Sequence, residues 1–336
     1  MSVIPATSGG TAPDPRAITE ALAEAAVAAG HAPSIHNTQP WRWRLDNDTL
    51  ELLVERSRLL GVTDPDRRLA ILSCGTALHH ARVALSAQGL HEYVERMPDS
   101  DEPDLLARVR ILSRIPVTAP AMRLLQTIAV RYTDRRPVTG DPVTPADVEA
   151  IAAATGAQGA WLHRLRRDQV IELAAAADRA QQAESADPAW REEMAYWTGG
   201  DRTGGTGVPD AVIPAHRPDT MVPGRDFGHA GALPTGAEHD AAAAYALLYG
   251  QADEMLDWLR AGEALSAAWL TATELGVSLL PLSGAVEVPG TRRILRGMLA
   301  GTAVPYLVLR LGRADPEHQG PPHTPRLNPA QIIQRE

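Results

Sequence analysis

The sequence contains no lysine, so all 32 of its basic residues are arginines. It has one cysteine, Cys74, and one phenylalanine, Phe227. A single cysteine forms neither an intrachain disulfide nor a cysteine-based zinc site, so we expect a reducing cytoplasm and no metal. Without lysine, any cation beside a ligand must be an arginine or a histidine.

Long apolar runs are also missing, since none reaches the roughly 18 residues that span a bilayer. Residues 1–16, MSVIPATSGGTAPDPR, lack the basic and apolar regions of a secretory signal. We therefore expect no export and no membrane partner. The net charge of -9 argues against a nucleic-acid partner, because backbone binding needs a concentrated basic surface.

Local patterns predict the elements of the first third of the chain. Residues 1–15 are rich in Pro and Gly, which predicts a disordered tail. Strong helix formers from Ala17 to Gly30 end at a glycine and predict a helix. WRWRL and TLELLVE surround a turn at Asp46, which is typical of a hairpin, and Asp64 with its following proline opens a long predicted helix.

Two pairs of segments suggest that the chain contains one unit twice. GTALHHARVALSAQGL, from Gly75, shares its glycines and an Ala-Leu pair in register with GEALSAAWLTATELGV, from Gly262. AWLHRLRRDQVIELA, in which Trp161 corresponds to Trp41, has the strand, turn and strand pattern of PWRWRLDNDTLELLV. Buried helices of similar composition can align by chance, but two pairs in the same order predict a fused pseudo-dimer.

The two copies differ in their polar motifs. Where the first copy has PSIHNTQPW, the second has TGAQGAW, and only the second is preceded by an arginine cluster, RYTDRR. Each copy therefore keeps one part of a polar constellation. Residues 199–236 are dense in Gly and Pro, which favours a lid, a binding loop or disorder.

Three motifs are candidate ligand-binding segments, each with a simpler alternative. RYTDRR (131–136) offers guanidiniums and a hydroxyl for a phosphate, or is a solvated helix end. PSIHN (33–37) offers polar groups for the edge of a heterocycle, or is an Asx or Ser turn. LPLSG (280–284) permits close backbone approach to a ring, or is an ordinary turn. The sequence has no nucleophile elbow, no HExxH motif and no P-loop lysine. It therefore lacks the motifs that would predict a common hydrolase or an NTPase.

APSIHNTQPW, followed in order by the weaker matches RYTDRR and LPLSG, resembles the nitroreductase family of flavoproteins over most of residues 17–330. The order of the motifs resembles the fused branch that includes Acg-type proteins, in which one chain imitates the usual homodimer. The resemblance implies an α+β nitroreductase-like, FMN-dependent fold with two fused pseudo-equivalent halves, each a sheet flanked by helices. We place the halves at residues 16–120 and 121–336, with 199–236 as a lid-like insertion.

The resemblance further implies one FMN per chain, with hydride passing from NAD(P)H through the flavin N5 to a nitro or quinone-like acceptor. No catalytic side chain is required. The alternatives are a flavin-binding or flavin-sequestering protein whose lid blocks turnover, and a structural chain with a decayed site. We expect a small-molecule acceptor as partner and a monomer or weak homodimer. The identity of the acceptor and the choice between NADH and NADPH stay open.

The resemblance also assigns cofactor-binding residues from both halves. Those implied for the phosphate, the ribityl chain and the pyrimidine edge are Arg131, Thr133, Arg135 and Arg326. Those implied to line or cover the flavin ring are Pro33, Ser34, Asn37, Pro281, Leu282, Ser283 and Gly284. A backbone N–H near Ser283 is implied to face the flavin N5.

Overall fold

The computed structural model of the chain describes residues 15–138, 141–235, 239–240, 242–313 and 320–335. Apart from Pro15, the predicted disordered tail lies outside these residues. Within the described ranges, no helix combines the length and the apolar character needed to cross a membrane.

The described helices and strands are interspersed along the chain. The helices are α1 (Pro15–Ala29), α2 (Arg68–Ala87), α3 (Ala119–Val130), α4 (Pro145–Gly156), α5 (Arg167–Ala186), α6 (Pro188–Trp197), α7 (Met255–Glu274), α8 (Gly284–Glu287), α9 (Pro289–Met298) and α10 (Pro329–Ile332). The strands are β1 (Trp41–Asp46), β2 (Thr49–Val54), β3 (Leu90–Arg96), β4 (Leu105–Arg114), β5 (Trp161–Arg164), β6 (Ala244–Gly250), β7 (Ser278–Leu282), β8 (Val304–Gly312) and β9 (Ile333–Arg335). The helix predicted from Ala17, the hairpin and the long second helix are confirmed as α1, β1–β2 and α2.

The first sheet has the strand order β3-β4-β2-β1-β9. Its β1–β2 hairpin pairs Trp41 with Val54, and alternate β1 side chains are buried against α1 and α2, as the sequence alternation predicts. The edge strand β9 runs parallel to β1, with Trp43 opposite Ile333. A distant segment of the chain therefore returns to complete the first sheet.

The second sheet has the order β5-β6-β8-β7, and all of its pairs are antiparallel. Its strand β8 is buried along its whole length. Strand β8 lies between β6 and β7 and is covered on both faces. A strand in such a position is nearly continuously apolar in sequence, as VPYLVLRLG is.

The second strand expected after Trp161 is wrong, because that segment is the helix α5. Val170, Leu173, Ala176 and Ala180 recur at helical spacing and are buried, which outweighs the alternation seen over a few residues. The Gln169 side chain also accepts a hydrogen bond from the backbone N–H of Arg166, which caps the first turn. Trp161 itself begins β5, as expected.

The two halves meet where α2 and α7 cross. A Cβ on Gly75 would overlap the carbonyl oxygen of Leu259, and a Cβ on Gly262 would overlap that of Leu72. Gly75 and Gly262 are the glycines that align in the two sequence copies, and each sits against the other's helix. Such reciprocal contacts are those of an isologous interface. The described fold therefore has two pseudo-equivalent halves, each a sheet with helices packed against it, as the resemblance implies.

The Gly- and Pro-rich insertion has a small apolar core of its own. In residues 199–235, Phe227, Val212 and Ile213 pack with Trp190 and Met194 of α6. Two isolated bridges, one of them between Pro214 and Leu233, hold the segment together. The insertion is thus anchored beside α5 and α6.

Candidate functional site

A cavity of about 510 Å³ lies between the two halves and the insertion. This volume is typical of a site for a small molecule or cofactor. The residues that the sequence assigned to a cofactor all line it: Pro33, Ser34, Asn37, Arg131, Thr133, Arg135, Pro281, Leu282, Ser283, Gly284 and Arg326. Residues far apart in the chain thus line one cavity.

The PSIHNTQ turn is strained and internally bonded. His36, Asn37 and Gln39 have positive φ angles of 45°, 54° and 51°. Non-glycine residues in this region are uncommon and costly, and they cluster at functional sites. The Ser34 hydroxyl oxygen accepts the backbone N–H of Gln39 at 2.9 Å, which holds the turn in this shape.

Asn37 links the turn to two other segments. Its Nδ2 donates to the carbonyl of Gly207 at 3.0 Å and to that of Pro325 at 2.9 Å, and its Oδ1 accepts from Arg326 Nη1 at 3.1 Å. Asn37 therefore lines the cavity while its amide is already bonded within the protein. Its role in the structure is to join the turn, the insertion and the segment that precedes α10.

Arg131 and Arg326 form a cationic end of the cavity. Arg131 directly follows α3, is 4% exposed, and stacks its guanidinium 4.5 Å from the centre of the Trp269 ring. Its Nη2 and the Nη2 of Arg326 both reach the carbonyl of His31, at 3.5 and 3.3 Å. Arg131 Nε and Nη1 are buried without a hydrogen-bond partner among the described residues.

Both guanidiniums remain charged at neutral pH, although burial lowers their pKa values. Desolvation, with the nearby Arg326, lowers the pKa of Arg131 to about 9, and desolvation lowers the pKa of Arg326 to about 10. Within the described ranges, neither forms a salt bridge with a carboxylate. A buried charge of this kind is stable only when paired, so an anionic ligand group suits this end.

Arg135 faces the cavity from beneath the insertion. Its Nη1 donates to the carbonyl of Val212 at 3.2 Å, and its guanidinium lies 5.5 Å from the Phe227 ring centre. Burial lowers its pKa to about 10. Arg136 instead pairs with Asp134 at 2.6 Å, which separates the cluster into cavity-lining and ion-paired members.

The LPLSG segment closes another side. Leu282 ends β7 opposite Val308 of β8, and Ser283 then leads into α8. The Ser283 hydroxyl accepts from Arg225 Nη2 at 3.2 Å. The backbone of Gly284 lines the cavity and is not crowded by its neighbours. A Cβ added at this position would lie 3.6 Å from the nearest atom, which belongs to Arg225.

Sequence reasoning missed an acidic side of the cavity. Arg225, from the insertion, lies between Glu184 of α5, at 3.5 Å, and Glu287 of α8. Glu184 Oε1 and Glu287 Oε2 are buried and accept no hydrogen bond from a described donor group, while the two carboxyls lie within hydrogen-bond reach of each other. Burial and the neighbouring Glu287, opposed by Arg225, raise the pKa of Glu184 to about 8. A visible signal existed, because Glu184 continues the buried face of α5 formed by Leu173, Ala176 and Ala180 at helical spacing.

His36 and Phe227 were also missed as cavity residues. The His36 ring packs edge-on against Phe227 at 6.4 Å, and its Nε2 has no partner among the described residues. Burial, with nearby Arg225 and Arg135, lowers the pKa of His36 well below its ordinary value. The imidazole is therefore neutral, and it meets the insertion's aromatic ring at the cavity wall.

No protein-family model matches the chain. A Mycobacterium tuberculosis (strain ATCC 25618 / H37Rv) protein named "Putative NAD(P)H nitroreductase Rv3131" is 36% identical over 317 residues, which cover 91% of this chain and 89% of the relative. "Putative NAD(P)H nitroreductase acg" from the same strain is 31% identical over 316 residues, covering 94% of this chain and 95% of the relative.

Among solved structures, a nitroreductase with bound FMN from Bacteroides fragilis NCTC 9343 matches with 15% identity and a TM-score of 0.36. The match covers 60% of this chain and 93% of that one. The two curated relatives match at above 30% identity over nearly the whole length of each chain. The chain therefore belongs to the nitroreductase family, in the branch that includes the Acg protein.

Proposed function

We propose that the cavity binds one flavin mononucleotide and that the chain is an NAD(P)H-dependent oxidoreductase acting on nitro or quinone-like acceptors. The observation that carries this proposal is the buried Arg131 with two unpartnered donor atoms and no paired carboxylate in the described residues. A phosphate supplies both the charge and the acceptors that this guanidinium needs. The names of the curated relatives agree with the activity.

The residues present fit this cofactor. Arg131, Thr133 and Arg326 would hold the phosphate and the ribityl chain, and Arg135 would place a cation at the pyrimidine edge of the ring. The remaining assigned residues, which are small or apolar for the most part, would line the ring: Pro33, Ser34, Asn37, Pro281, Leu282, Ser283 and Gly284. When bound, the flavin supplies hydride transfer between NAD(P)H and the acceptor. The chain's own part is to orient the ring and exclude water.

We also infer that an internal duplication produced the chain, with halves at residues 16–120 and 121–336. The reciprocal packing of Gly75 and Gly262 supports this inference. Residues 333–335 pair with the first sheet, so the second half contributes a strand to the first. We expect one flavin per chain, because among the described residues Arg131 at the cavity has no paired carboxylate, whereas Arg82 and Arg96 on the pseudo-equivalent side pair with Glu263.

The test is to purify the protein, record its visible spectrum, measure flavin per chain, and then add NADPH or NADH anaerobically. We expect a yellow protein with one FMN per chain whose flavin absorbance bleaches with one of the nicotinamides. A colourless protein that takes up no added FMN contradicts the cofactor. Two flavins per chain contradict the single site.

Flavin sequestration is a second candidate function, and the way in which the insertion packs against α5 and α8 favours it. Phe227 is only 7% exposed, and Arg225 joins the insertion to α5 and α8 through two carboxylates. An insertion held in this way would keep nicotinamide from the ring. A flavin that stays oxidised under both nicotinamides in the native chain, but bleaches in Arg225→Gln, would establish this role. The exposed Arg179→Gln on α5 is the matched control.

A further inference from the structure

The buried trio of Glu184, Arg225 and Glu287 carries one more negative than positive charge if both carboxyls are ionised. Arg225 spans the two acids, with Nη1 facing Glu184 and Nη2 facing Glu287. Their side chains are 8%, 11% and 4% exposed, so water screens them little. Two carboxyls that share one site do not both ionise readily, and one proton is retained.

Geometry decides which acid presents this proton to a ligand. Glu184 lines the cavity, and its Oε1 would lie 3.7 Å from a Cβ added to Gly284, which belongs to the segment implied to cover the flavin ring. Oε1 accepts no hydrogen bond from a described donor group, and the retained proton is shared with the neighbouring carboxyl of Glu287. Glu287 Oε2 likewise accepts none from a described donor group, but Glu287 is not one of the cavity-lining residues.

Resting on the proposed flavin function, we propose that Glu184 is the catalytic acid that protonates the acceptor. For a quinone, the hydride would come from NAD(P)H, which becomes NAD(P)⁺, by way of the hydride-transfer chemistry that a bound flavin supplies. The O–H bond of Glu184 breaks as the O–H bond of the hydroquinone forms, and the carboxylate then regains a proton from water. One hydride and one proton thus convert quinone to hydroquinone.

The charged and titratable groups around this acid agree with the role. Arg225 faces Glu184 from the insertion and Glu287 faces it from α8. Asp64, which precedes α2, acts on Glu287, and His36 faces Arg225 from the strained turn. Burial and Glu287 hold the pKa of Glu184 at about 8, so the acid carries its proton at neutral pH.

The first measurement needs no turnover. Infrared difference spectra of the full chain between neutral and alkaline pH should contain the carbonyl stretch of an un-ionised carboxyl, and Glu184→Gln should remove that signal. Glu172→Gln, an exposed glutamate on the same helix, is the matched control and should keep it. A spectrum of Glu184→Gln identical to that of the native chain overturns the proposal.

The second measurement separates proton transfer from electron transfer. The flavin is reduced with NADPH or NADH and then reoxidised in a stopped-flow instrument by a quinone or by ferricyanide, which takes electrons without a proton. Glu184→Gln should slow the quinone reaction by about 10²-fold and leave the ferricyanide reaction unchanged. Equal slowing of both, or of neither, overturns the acid role.

Glu287→Gln keeps Glu184 in place and covers the case in which Glu184→Gln does not fold. With one like charge removed, Glu184 pairs with Arg225 and ionises at lower pH, so the quinone rate should shift its pH profile towards acid. An unshifted profile overturns the proposal. A chain that binds no flavin defeats the proposed function itself, whereas a flavin-bound Glu184→Gln with native quinone rates defeats only the proton step.

Discussion

On one side of the α2–α7 crossing, Thr76 and Trp269 border the cavity, whereas on the other side their pseudo-equivalents, Glu263 and Arg82, form a buried ion pair. Thr76 and Glu263 occupy the same place relative to Gly75 and Gly262, as do Arg82 and Trp269. The same scaffold therefore carries two different interiors.

The ion-paired side is filled by protein. Glu263, whose side chain is 1% exposed, accepts from Arg82 and from Arg96, each at 2.7 Å. Arg82 also donates to Gln158 at 2.8 Å, and Gln158 lies in TGAQGAW, the counterpart of the PSIHN motif. The place that could mirror the cavity is thus occupied by side chains bonded to one another.

The difference is one of charge pairing. At the cavity, Arg131 and Arg326 have no paired carboxylate among the described residues, so their charge is available to a ligand anion. On the opposite side, Glu263 neutralises the cations within the protein. Glu at the position where the other copy has Thr therefore contributes to making this side a structural contact and not a ligand site.

Breaking the crossing should have the largest effect, because both sides depend on it. In Gly262→Ala the new Cβ overlaps the Leu72 carbonyl, and the backbones must separate. We expect a loss of about 4 kcal/mol or more in the free energy of unfolding, measured by denaturant titration. Gly297→Ala, at an exposed position of α9 with no atom within 4 Å of the added Cβ, is the control and should be neutral or stabilising. A native-like Gly262→Ala would contradict the close contact.

Removing the Glu263 carboxylate should lower the stability of the protein through the ion-paired side of the crossing alone. Glu263→Ala leaves Arg82 and Arg96 without their shared carboxylate, at a cost of about 3–5 kcal/mol in the free energy of unfolding. Thr76→Ala, at the pseudo-equivalent position, loses hydroxyl bonds to Ser73 and Pro33 and should cost about 1 kcal/mol. Equal costs for the two variants would remove the contrast between the sides.

The two arginines should respond to alanine in opposite ways. Arg131→Ala should weaken FMN binding by about 1.5–3 kcal/mol, or about 10- to 100-fold in Kd, without lowering the stability of the flavin-free protein. Arg82→Ala should lower stability and leave Kd unchanged, because its partners are protein groups. Titration calorimetry with FMN and thermal unfolding distinguish the two, and retention of full FMN affinity in Arg131→Ala would refute the phosphate assignment.

A smaller effect is expected from pH on the acidic side of the cavity. Glu184 has its pKa raised from 4.5 to about 8 on folding, so its contribution to stability is full below pH 4.5 and is lost as the pH rises towards 8. The midpoint temperature of thermal unfolding of the native chain, compared with that of Glu184→Gln at the same pH, should therefore fall from pH 5 to pH 8.5. A constant difference across this range would mean that the carboxyl ionises normally.

Much of the secondary structure of the first half was predictable, because local sequence patterns determine its helices and strands. The alternation at Trp41 and Trp43 and the Ala-rich run from Ala17 each fix one element. The segment after Trp161 misled because a few residues of alternation fit a strand, while helical spacing becomes visible only over the full length of α5.

The cavity was predictable only through motif resemblance. Arg131 and Asn37 line the same cavity because the two halves pack together, which no local pattern reveals. Arg225 and Phe227 were missed because the insertion has no periodic pattern to place them. Glu184 had a signal, a glutamate on an apolar helical face, but its partners come from elsewhere in the chain.

The parallel pairing of β9 with β1 has a kinetic consequence. It joins Trp43 to Ile333, so nearly the whole chain must close as one loop before the pairing forms. Contacts of such long sequence separation form slowly, because the entropy of closure is lost before the contact compensates for it. Arg326 stands just ahead of this strand and reaches the carbonyl of His31 beside Arg131. In refolding, we expect the buried tryptophan side chains to reach their native environment before the chain takes up FMN. The cofactor then binds only to a chain whose distant segments have already come together.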